Sequence, residues 1–262
     1  VTVSHPQWKE RNAIRQTWGK DQRTDGKRTV AYFLLGYNTR YQSMILNESL
    51  HYQDIIQKNF TDTYYNLTLK VLMGIEWAHE FCPSVSFVMK TDSDMFVNTY
   101  YLTELLSERT RTHLYTGFVK ANEKPIRYAL SDLVEKILTV SKHIPILKLE
   151  DVYFGLCLQK LNVTPVELQS VQTFHVRKVE FSICNFHKLV TSHGNTWPER
   201  HCVDYQWELE VVPKLAVRAV RFDRRLRAEG TSEEERGEVP RPWMILVQTP
   251  RTVNWFIIKT AF

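Results

Sequence analysis

The 262-residue sequence has no run of about 20 apolar residues, the length that a helix needs to span a membrane. It also lacks, at its start, the charged, apolar and small-residue order of a secretory signal peptide. Its first residue is Val1 instead of methionine, which predicts that an upstream segment was removed. The compartment must therefore be inferred from internal features of the chain.

Cysteines are few, and they lie too far apart for the CxxC pairs of a zinc site. Two interpretations stay open: two disulfides in an oxidising compartment, or small buried apolar side chains. The four are Cys82, Cys157, Cys184 and Cys202. Four sequons for N-glycosylation favour a secretory environment. They predict N-glycans at Asn47, Asn59, Asn66 and Asn162.

The charge balance is mildly basic, with a formal net charge of +5, and hydrophobic residues make up 43% of the chain, as in an ordinary globular protein. The length allows one large α/β domain, alone or with an appendage. A nucleic-acid-binding protein gathers its basic residues on one face or helix, whereas Arg and Lys are scattered here except within 218–227. We therefore expect no nucleic-acid partner, and the basic balance agrees with anionic, phosphorylated ligands.

Segments typical of helices alternate with segments typical of strands. Residues 6–19 have proline near the start and glycine at the end, as helices often do, and residues 66–81 carry apolar side chains at helical spacing. The apolar or β-branched runs at 29–36, 54–56 and 85–91 predict strands. Such alternation predicts a parallel, doubly wound α/β sheet, in which ligands bind at the carboxyl ends of the strands.

The C-terminal part has a different composition. Residues 218–242 are rich in Arg, Glu, Gly and Pro, and they predict a solvated linker without a packed core. Beyond it, the apolar runs at 243–247 and 253–258 are typical of short strands or of an apolar plug. None of these features assigns a function to the tail.

Asp92 and Asp94 directly follow the apolar run that ends at Thr91. Two carboxylates at alternate positions of an extended chain lie on the same side and can face one divalent cation, and their hard oxygens suit Mn²⁺ or Mg²⁺. The alternative is that either acid only caps the turn after the strand. The position at the end of a predicted buried strand strengthens the metal interpretation, and both interpretations stay open at this point.

A second acid pair, Glu150 and Asp151, precedes the segment VYFG. Such a pair can supply a general base. It is also typical of the first turn of a helix, where the helix dipole stabilises acids, and the residues alone favour that interpretation. His193 ends another apolar run, and a lone histidine is more often an ordinary surface or core residue than a metal ligand.

Five phrases of the sequence carry a resemblance to known proteins. They are RNAIRQTWG at 11–19, DII at 54–56, YYNLTLK at 64–70, VMKTDSDMFVN at 88–98 and LEDVYFG at 149–155. Together they resemble the β1,3-glycosyltransferase family (glycosyltransferase family 31), which includes β1,3-galactosyltransferases and β1,3-N-acetylglucosaminyltransferases. The DSD form is more similar to the galactosyl members, because the others tend to carry three acids. The resemblance extends from residue 6 to residue 193.

The resemblance implies a GT-A type α/β fold, with a central, mostly parallel sheet flanked by helices, and a Mn²⁺-dependent reaction that inverts the anomeric carbon. Asp94 would bind the metal with Asp92 beside it, and His193 would be a further ligand. Asp151 would be the catalytic base, with Glu150 shaping its surroundings. The nucleotide pocket would be lined by Arg11, Arg15, Lys70 and Lys90, together with Asp92 and Ser93.

The implied reaction is transfer of galactose from UDP-galactose to the 3-hydroxyl of a GlcNAc- or GalNAc-terminated glycan, carried by a glycolipid or a glycoprotein, with a β1,3 linkage. The implied location is the Golgi membrane, with a single-pass type II anchor upstream and the catalytic domain in the lumen. Two alternatives stay open. One is a β1,3-N-acetylglucosaminyltransferase with the same fold, and the other is a shortened, non-catalytic form that binds UDP or a partner without transfer.

The sequence departs from the family pattern in two places. Between Arg127 and Tyr128 it lacks a family segment that supplies acceptor- and donor-facing residues and a cysteine, so a true deletion there would make transfer weak or absent. After residue 194 the family ending is replaced. We therefore expect a catalytic domain at 1–194, whose first strand is clipped, and an atypical, partly disordered tail at 195–262. Comparison with the family also predicts a disulfide between Cys157 and Cys184.

Overall fold

The structure is a computed structural model that describes residues 1–24, 26–108, 114–118, 133–169, 172–180 and 182–193, and the backbone of 128–130, 245–247 and 256–258. The helices in this part of the chain are α1 (Trp8–Gln16), α2 (Gln42–Tyr52), α3 (Leu67–Phe81), α4 (Thr99–Ser107), α5 (Leu133–Ser141), α6 (Glu150–Lys160) and α7 (Ile183–Phe186), with a 3-10 turn at Tyr64–Asn66. The strands are β1 (Gln22–Thr24), β2 (Lys27–Thr29), β3 (Phe33–Tyr37), β4 (Ile55–Thr61), β5 (Val88–Lys90), β6 (Met95–Val97), β7 (Tyr115–Gly117), β8 (Tyr128–Leu130), β9 (Thr191–His193), β10 (Ile245–Val247) and β11 (Phe256–Ile258).

The N-terminal residues connect two parts of the sheet. Thr2 forms parallel bridges with Leu34 of β3 on one side and with Asp92, just after β5, on the other. The amide of Thr2 donates to the carbonyl of Thr91 at 2.9 Å, and the amide of Leu34 donates to the carbonyl of Val1 at 2.9 Å. β3 also pairs in parallel with β4. The carboxyl ends of these segments therefore lie at one edge of the structure.

The other described strand pairs are antiparallel. β8 lies between β5 and β7, and β6 pairs with β9. β1 pairs with β2, and β10 pairs with β11. The mixed α/β class is thus confirmed. Among the described pairs of strands only β3–β4 is parallel, so a mostly parallel central sheet stays a prediction.

The helices follow the predicted segments closely. The helix expected at 6–19 spans Trp8–Gln16, and the one expected at 66–81 is α3, Leu67–Phe81. Gly19 follows α1 closely enough for its amide to donate to the carbonyl of Ile14 at 2.9 Å. A Cβ at this position would lie 2.8 Å from that same carbonyl oxygen, so a side chain does not fit there. No helix in the described part is long and apolar enough to cross a membrane.

The predicted strands differ from the observed ones mainly at their ends. The run at 29–36 forms β3 from Phe33, because residues 27–29 pair instead with β1 in a hairpin whose turn contains Gly26 at a φ of 73°. The short run at 54–56 is the start of the longer β4. In the tail, β10 and β11 confirm the two short strands, and they pair with each other. The linker at 218–242 and the boundary at 194–195 lie outside the described residues, so the domain limits stay predictions.

Two apolar clusters support the edge where the parallel segments end. One joins α1, β3 and β6 and includes Ile14, Phe33 and Phe96, all of them fully buried. The other joins α3, α5 and α6 and includes Ile137 and Phe154. The first cluster fixes the strands, and the second fixes the start of α6. Both acid pairs of the sequence are therefore attached to rigid parts of the fold.

The predicted disulfide is wrong. Cys184 carries a free, exposed thiol, whereas Cys157 is fully buried in the cluster around α6, so the two are not bonded to each other. Cys82 is also a free thiol, and burial raises its pKa. Cys202 lies outside the described residues.

Candidate functional site

The turn between β5 and β6 places Asp94 beside a histidine that is distant in sequence. β6 pairs with β9 in a register that puts Met95 opposite His193. Asp94 directly precedes Met95, and its Oδ2 lies 3.0 Å from Nε2 of His193. Two of the three predicted metal ligands, 99 positions apart in the chain, are therefore brought into contact.

The Asp94–His193 pair fits a divalent cation. Its side chains are 54% and 34% exposed, so an ion and a bound ligand can reach them from solvent. A carboxylate and an imidazole are ligands that Mn²⁺ accepts. The third predicted ligand, Asp92, lies apart, because its Oδ1 accepts hydrogen bonds from Lys90 and Thr2. In the described part of the chain no three His, Cys, Asp or Glu residues form a metal-binding group.

Lys90 connects the two acid pairs of the sequence. Its Nζ lies 2.9 Å from Oδ1 of Asp92 and 2.6 Å from Oε1 of Glu150, and its side chain is 5% exposed. Burial alone would lower the pKa of Lys90, but the two carboxylates outweigh it and raise that pKa. Lys90 therefore stays charged and fastens the end of β5 to the start of α6. Its predicted contact with a nucleotide stays a prediction.

The second acid pair occupies the first turn of α6, as the helix-start interpretation expects. Leu149 is the N-cap residue, and Oδ1 of Asp151 accepts a hydrogen bond from the amide of Val152 at 2.8 Å. Acids are stabilised at this end of a helix by its dipole. Glu150 is buried against Lys90, whereas Asp151 is half-buried. Asp151 is thus the member of the pair that a substrate can reach.

Tyr115 of β7 is a neighbour of the acid pair that the sequence analysis missed. Its side chain is fully buried. Burial, followed by the charges of Asp151 and Glu150, raises the pKa of Tyr115 far above its usual value, so the phenol stays neutral. No local signal marks this residue, because the acids that surround it lie on a helix more than 30 positions away in the sequence.

Another buried group lies where β3 and β4 end. Nζ of Lys70 is 2.6 Å from Oδ1 of Asp62 and 2.7 Å from the carbonyl oxygen of Val3. Oδ2 of Asp62 accepts from the amide of Gly36 at 2.9 Å and lies 3.5 Å from Nδ1 of His5. Burial lowers the pKa of Lys70, and Asp62 partly offsets this. Asp62 and His5 were not predicted, because the expected strand at 54–56 stops well before the observed end of β4 at Thr61.

The structure places Arg11 and Arg15 within the fold. Arg11 is fully buried, and its guanidinium donates to both carboxylate oxygens of Glu48, at 2.7 and 2.6 Å. Arg15 pairs with Glu48 and Asp54. It lines a cavity of about 530 Å³ at the amino ends of β3 and β4, the edge opposite Asp94. Their contacts are thus structural, and a role in nucleotide binding stays a prediction.

Ser93 lies between the two acids of the DSD phrase and is buried. Its amide donates to the carbonyl of Thr2 at 3.1 Å, and its hydroxyl lies 3.3 Å from Oε1 of Gln7. These contacts fix the turn that presents Asp94 and leave the predicted nucleotide contact of Ser93 untested.

Comparisons with known proteins show which proteins this chain is similar to. The chain matches the galactosyltransferase family model over residues 9–129. It is similar to human β-1,3-galactosyltransferase 5, with 46% identity over 223 residues that cover 74% of this chain and 72% of that protein. The mouse protein of that name is 42% identical with the same coverage. Human β-1,3-galactosyltransferase 2 is 40% identical over 227 residues, covering 74% of this chain and 54% of that protein.

The alignment with the human type 5 protein contains positions that this chain does not fill. A share of 74% of 262 residues is about 194 residues, so about 29 of the 223 aligned positions have no counterpart here. Residues 119–127 lie outside the described part, and the placement of the missing segment after Arg127 stays a prediction. The strand that follows, β8, pairs on both sides.

Proposed function

The chain belongs to the galactosyltransferase family, and we propose that it transfers galactose from UDP-galactose to the 3-hydroxyl of a glycan ending in GlcNAc or GalNAc, forming a β1,3 linkage. The observation that carries this proposal is the link that Lys90 makes between Asp92, in the same turn as the Asp94–His193 pair, and Glu150 in the acid pair of α6. The names of the relatives, which are β-1,3-galactosyltransferases, support the same reaction.

Asp151 is the proposed general base. Its carboxylate accepts the proton of the acceptor 3-hydroxyl while that oxygen attacks C1 of the donor galactose. The new bond joins the acceptor oxygen to C1, the bond from C1 to the phosphate oxygen breaks, and UDP leaves with the bonding electrons. A single displacement of this kind inverts an α-linked donor to a β-linked product. The half-buried position of Asp151 supports this role, because an acceptor can approach it.

Asp94 and His193 are the residues that would hold Mn²⁺. When bound, the cation supplies positive charge that neutralises the diphosphate of the donor. Lys90 has a different part in the proposal. Because its ammonium is shared by Asp92 and Glu150, it fixes the position of the base relative to the metal-binding turn.

The proposal is tested by transfer of galactose from UDP-galactose to a GlcNAc-terminated acceptor, with Mn²⁺ and with a chelator. We expect a β1,3-linked product that requires the cation. A product with another linkage, or preference for UDP-GlcNAc when both donors compete, would contradict the galactosyltransferase proposal. The second of these results would favour the N-acetylglucosaminyl alternative.

A variant of Asp94 tests the metal-binding pair separately from turnover. Asp94→Ala removes one of the two converging ligands, so we expect Mn²⁺-dependent binding of UDP to weaken by at least about tenfold. Titration calorimetry with UDP at fixed Mn²⁺ measures the change. Glu76→Ala, which removes an exposed acid paired with Lys58, is the control and should bind UDP normally. Unchanged binding by Asp94→Ala would refute the metal assignment.

A non-catalytic function is the second candidate. It is favoured by the aligned positions of the type 5 relative that have no counterpart in this chain. Its expected sign is Mn²⁺-dependent binding of UDP without any transfer. The transfer assay and the calorimetric titration, done on the same preparation, separate the two candidates.

The proposed compartment is the Golgi lumen, with a membrane anchor upstream. Exposed side chains at Asn47, Asn59 and Asn162 support N-glycosylation there. The side-chain amide of Asn66, the group that would carry the glycan, instead donates a hydrogen bond to the carbonyl of Thr61 at 2.8 Å. The N-glycans at all four positions stay predictions.

A further inference from the structure

Two neighbouring tyrosines are exposed beside the candidate site. Tyr64 and Tyr65 begin the 3-10 turn between β4 and α3, and they are 70% and 63% exposed. Their rings meet edge to face, with centroids 6.4 Å apart. Aromatic rings contribute large contact areas to binding surfaces, and pairs left open to solvent are a common mark of such surfaces. We call this pair the tyrosine platform.

The platform lies between the buried Lys70–Asp62 pair and the segment that leads to Asp151. Tyr64 follows two positions after Asp62, which belongs to the cluster with Lys70. On the other side, Nζ of Lys148 lies 4.4 Å from the ring centroid of Tyr65. Lys148 comes three positions before Asp151, so their Cα atoms are at most about 11 Å apart.

A hydrogen bond holds the segment before α6 against the start of α3. The hydroxyl of Thr68, in the first turn of α3, donates to the carbonyl of Leu147 at 2.6 Å. Thr68 is fully buried, so the segment that leads into α6 is held against the helix that follows the platform. The distance from the platform to Asp151 is therefore set by the packed part of the fold.

The chemistry of the platform matches a neutral sugar better than a nucleotide. A pyranose has an apolar face of C–H groups surrounded by hydroxyls, and tyrosine offers an apolar ring with one hydroxyl. Lys148 adds a hydrogen-bond donor at the edge. The donor diphosphate needs the cation pair at Asp94 and His193, whereas an uncharged acceptor needs contact area close to the base.

We propose that the tyrosine platform is an acceptor subsite, which stacks against the sugar ring next to the one that receives galactose. This inference rests on the proposed function, because it takes Asp151 as the base that defines where the acceptor hydroxyl lies. The stacked ring positions the terminal sugar and leaves its 3-hydroxyl directed at Asp151.

The inference is tested without turnover by the binding of an uncharged GlcNAc-terminated trisaccharide, which is measured by NMR titration. We expect Tyr64→Ala and Tyr65→Ala each to weaken trisaccharide binding by about tenfold, the loss of one good stacking contact, and Tyr65→Phe to stay within about twofold. Binding of UDP-galactose should not change. Leu50→Ala, at an exposed apolar side chain of α2 away from the platform, is the control.

Three results would overturn the inference. The first is unchanged trisaccharide binding in both alanine variants. The second is loss of UDP-galactose binding with the trisaccharide retained, which would assign the platform to the donor. The third is a wild-type chain that binds UDP-galactose and not the trisaccharide. If the wild-type chain binds neither UDP-galactose nor the trisaccharide and transfers no galactose, that result would instead contradict the proposed function itself. Because both tyrosines are exposed, the variants should fold, and circular dichroism checks this.

Discussion

Replacement of Asp151 by asparagine is expected to reduce turnover by about 10²–10⁴-fold, the usual contribution of a general base. Asparagine has almost the same shape, and its carbonyl oxygen can still accept the hydrogen bond from the amide of Val152. The start of α6 and the contact between Lys90 and Glu150 should therefore persist. Binding of UDP should stay normal, because Asp151 is not part of the cation pair.

The measurement is kcat with saturating donor and acceptor, together with the Kd of UDP. Glu135→Gln makes the same kind of change in the first turn of α5, at an exposed position, and should leave kcat within about twofold. Normal turnover of Asp151→Asn would remove this residue from the role of base. A large loss of UDP binding would mean that the substitution had damaged the site instead of the chemistry.

Replacement of Glu48 by alanine is expected to lower the free energy of unfolding by about 3–5 kcal/mol, because it leaves a buried charge without its partner. The guanidinium of Arg11 is fully buried and meets both oxygens of Glu48. Arg15 also reaches Glu48, at 2.8 Å. Urea denaturation measures the change as a lower midpoint with an unchanged slope.

The exposed pair of Lys58 and Glu76 provides the control, and Glu76→Ala should change stability by less than about 1 kcal/mol. A loss below about 1 kcal/mol for Glu48→Ala as well would show that the buried pair is no stronger than a surface pair.

Acidification should remove the stabilisation that Glu48 provides through its contacts with Arg11 and Arg15. Burial alone would raise the pKa of Glu48, but the hydrogen bonds and charges of Arg11 and Arg15 outweigh it and hold the pKa below its usual value. A carboxyl group with a lowered pKa stabilises the fold above its ordinary titration range, and this contribution is lost as the pH falls through the lowered pKa. The difference in stability between wild type and Glu48→Ala should therefore shrink on acidification below about pH 4.

The elements that could be predicted from sequence are those whose signal is local. α3 has apolar side chains at helical spacing along its whole length, and β3 is a short apolar run, so both were found with small errors at their ends. The hairpin of β1 and β2 was missed because its strands, QRT and KRT, have no apolar alternation. Polar strands of this kind are held by backbone hydrogen bonds that composition does not reveal.

The site could be predicted only in part, for the same reason. The residues around His193 are those of an ordinary histidine, and only the family resemblance marks it as a ligand, because its contact with Asp94 depends on the register of β6 and β9. Tyr115, Asp62 and His5 were missed, since their partners are close only in the folded chain. Conversely, Arg11 resembled a ligand-binding residue, and only its burial against Glu48 reveals a structural contact.

The bridges made by Thr2 have a consequence for the order in which the protein can assemble. Thr2 needs both Leu34 and Asp92, so the segment at the beginning of the chain must wait for about 90 further residues to be synthesised before its second edge is paired. Asp94 then waits for His193, whose strand lies another 99 positions on. During translation the cluster of α3, α5 and α6 can form first, because its last member is Val163. The cluster of α1, β3 and β6 includes Phe186 and Leu189 and closes only shortly before the reactive edge. A ribosome that stops before residue 193 would release a chain with much of its core and no finished site.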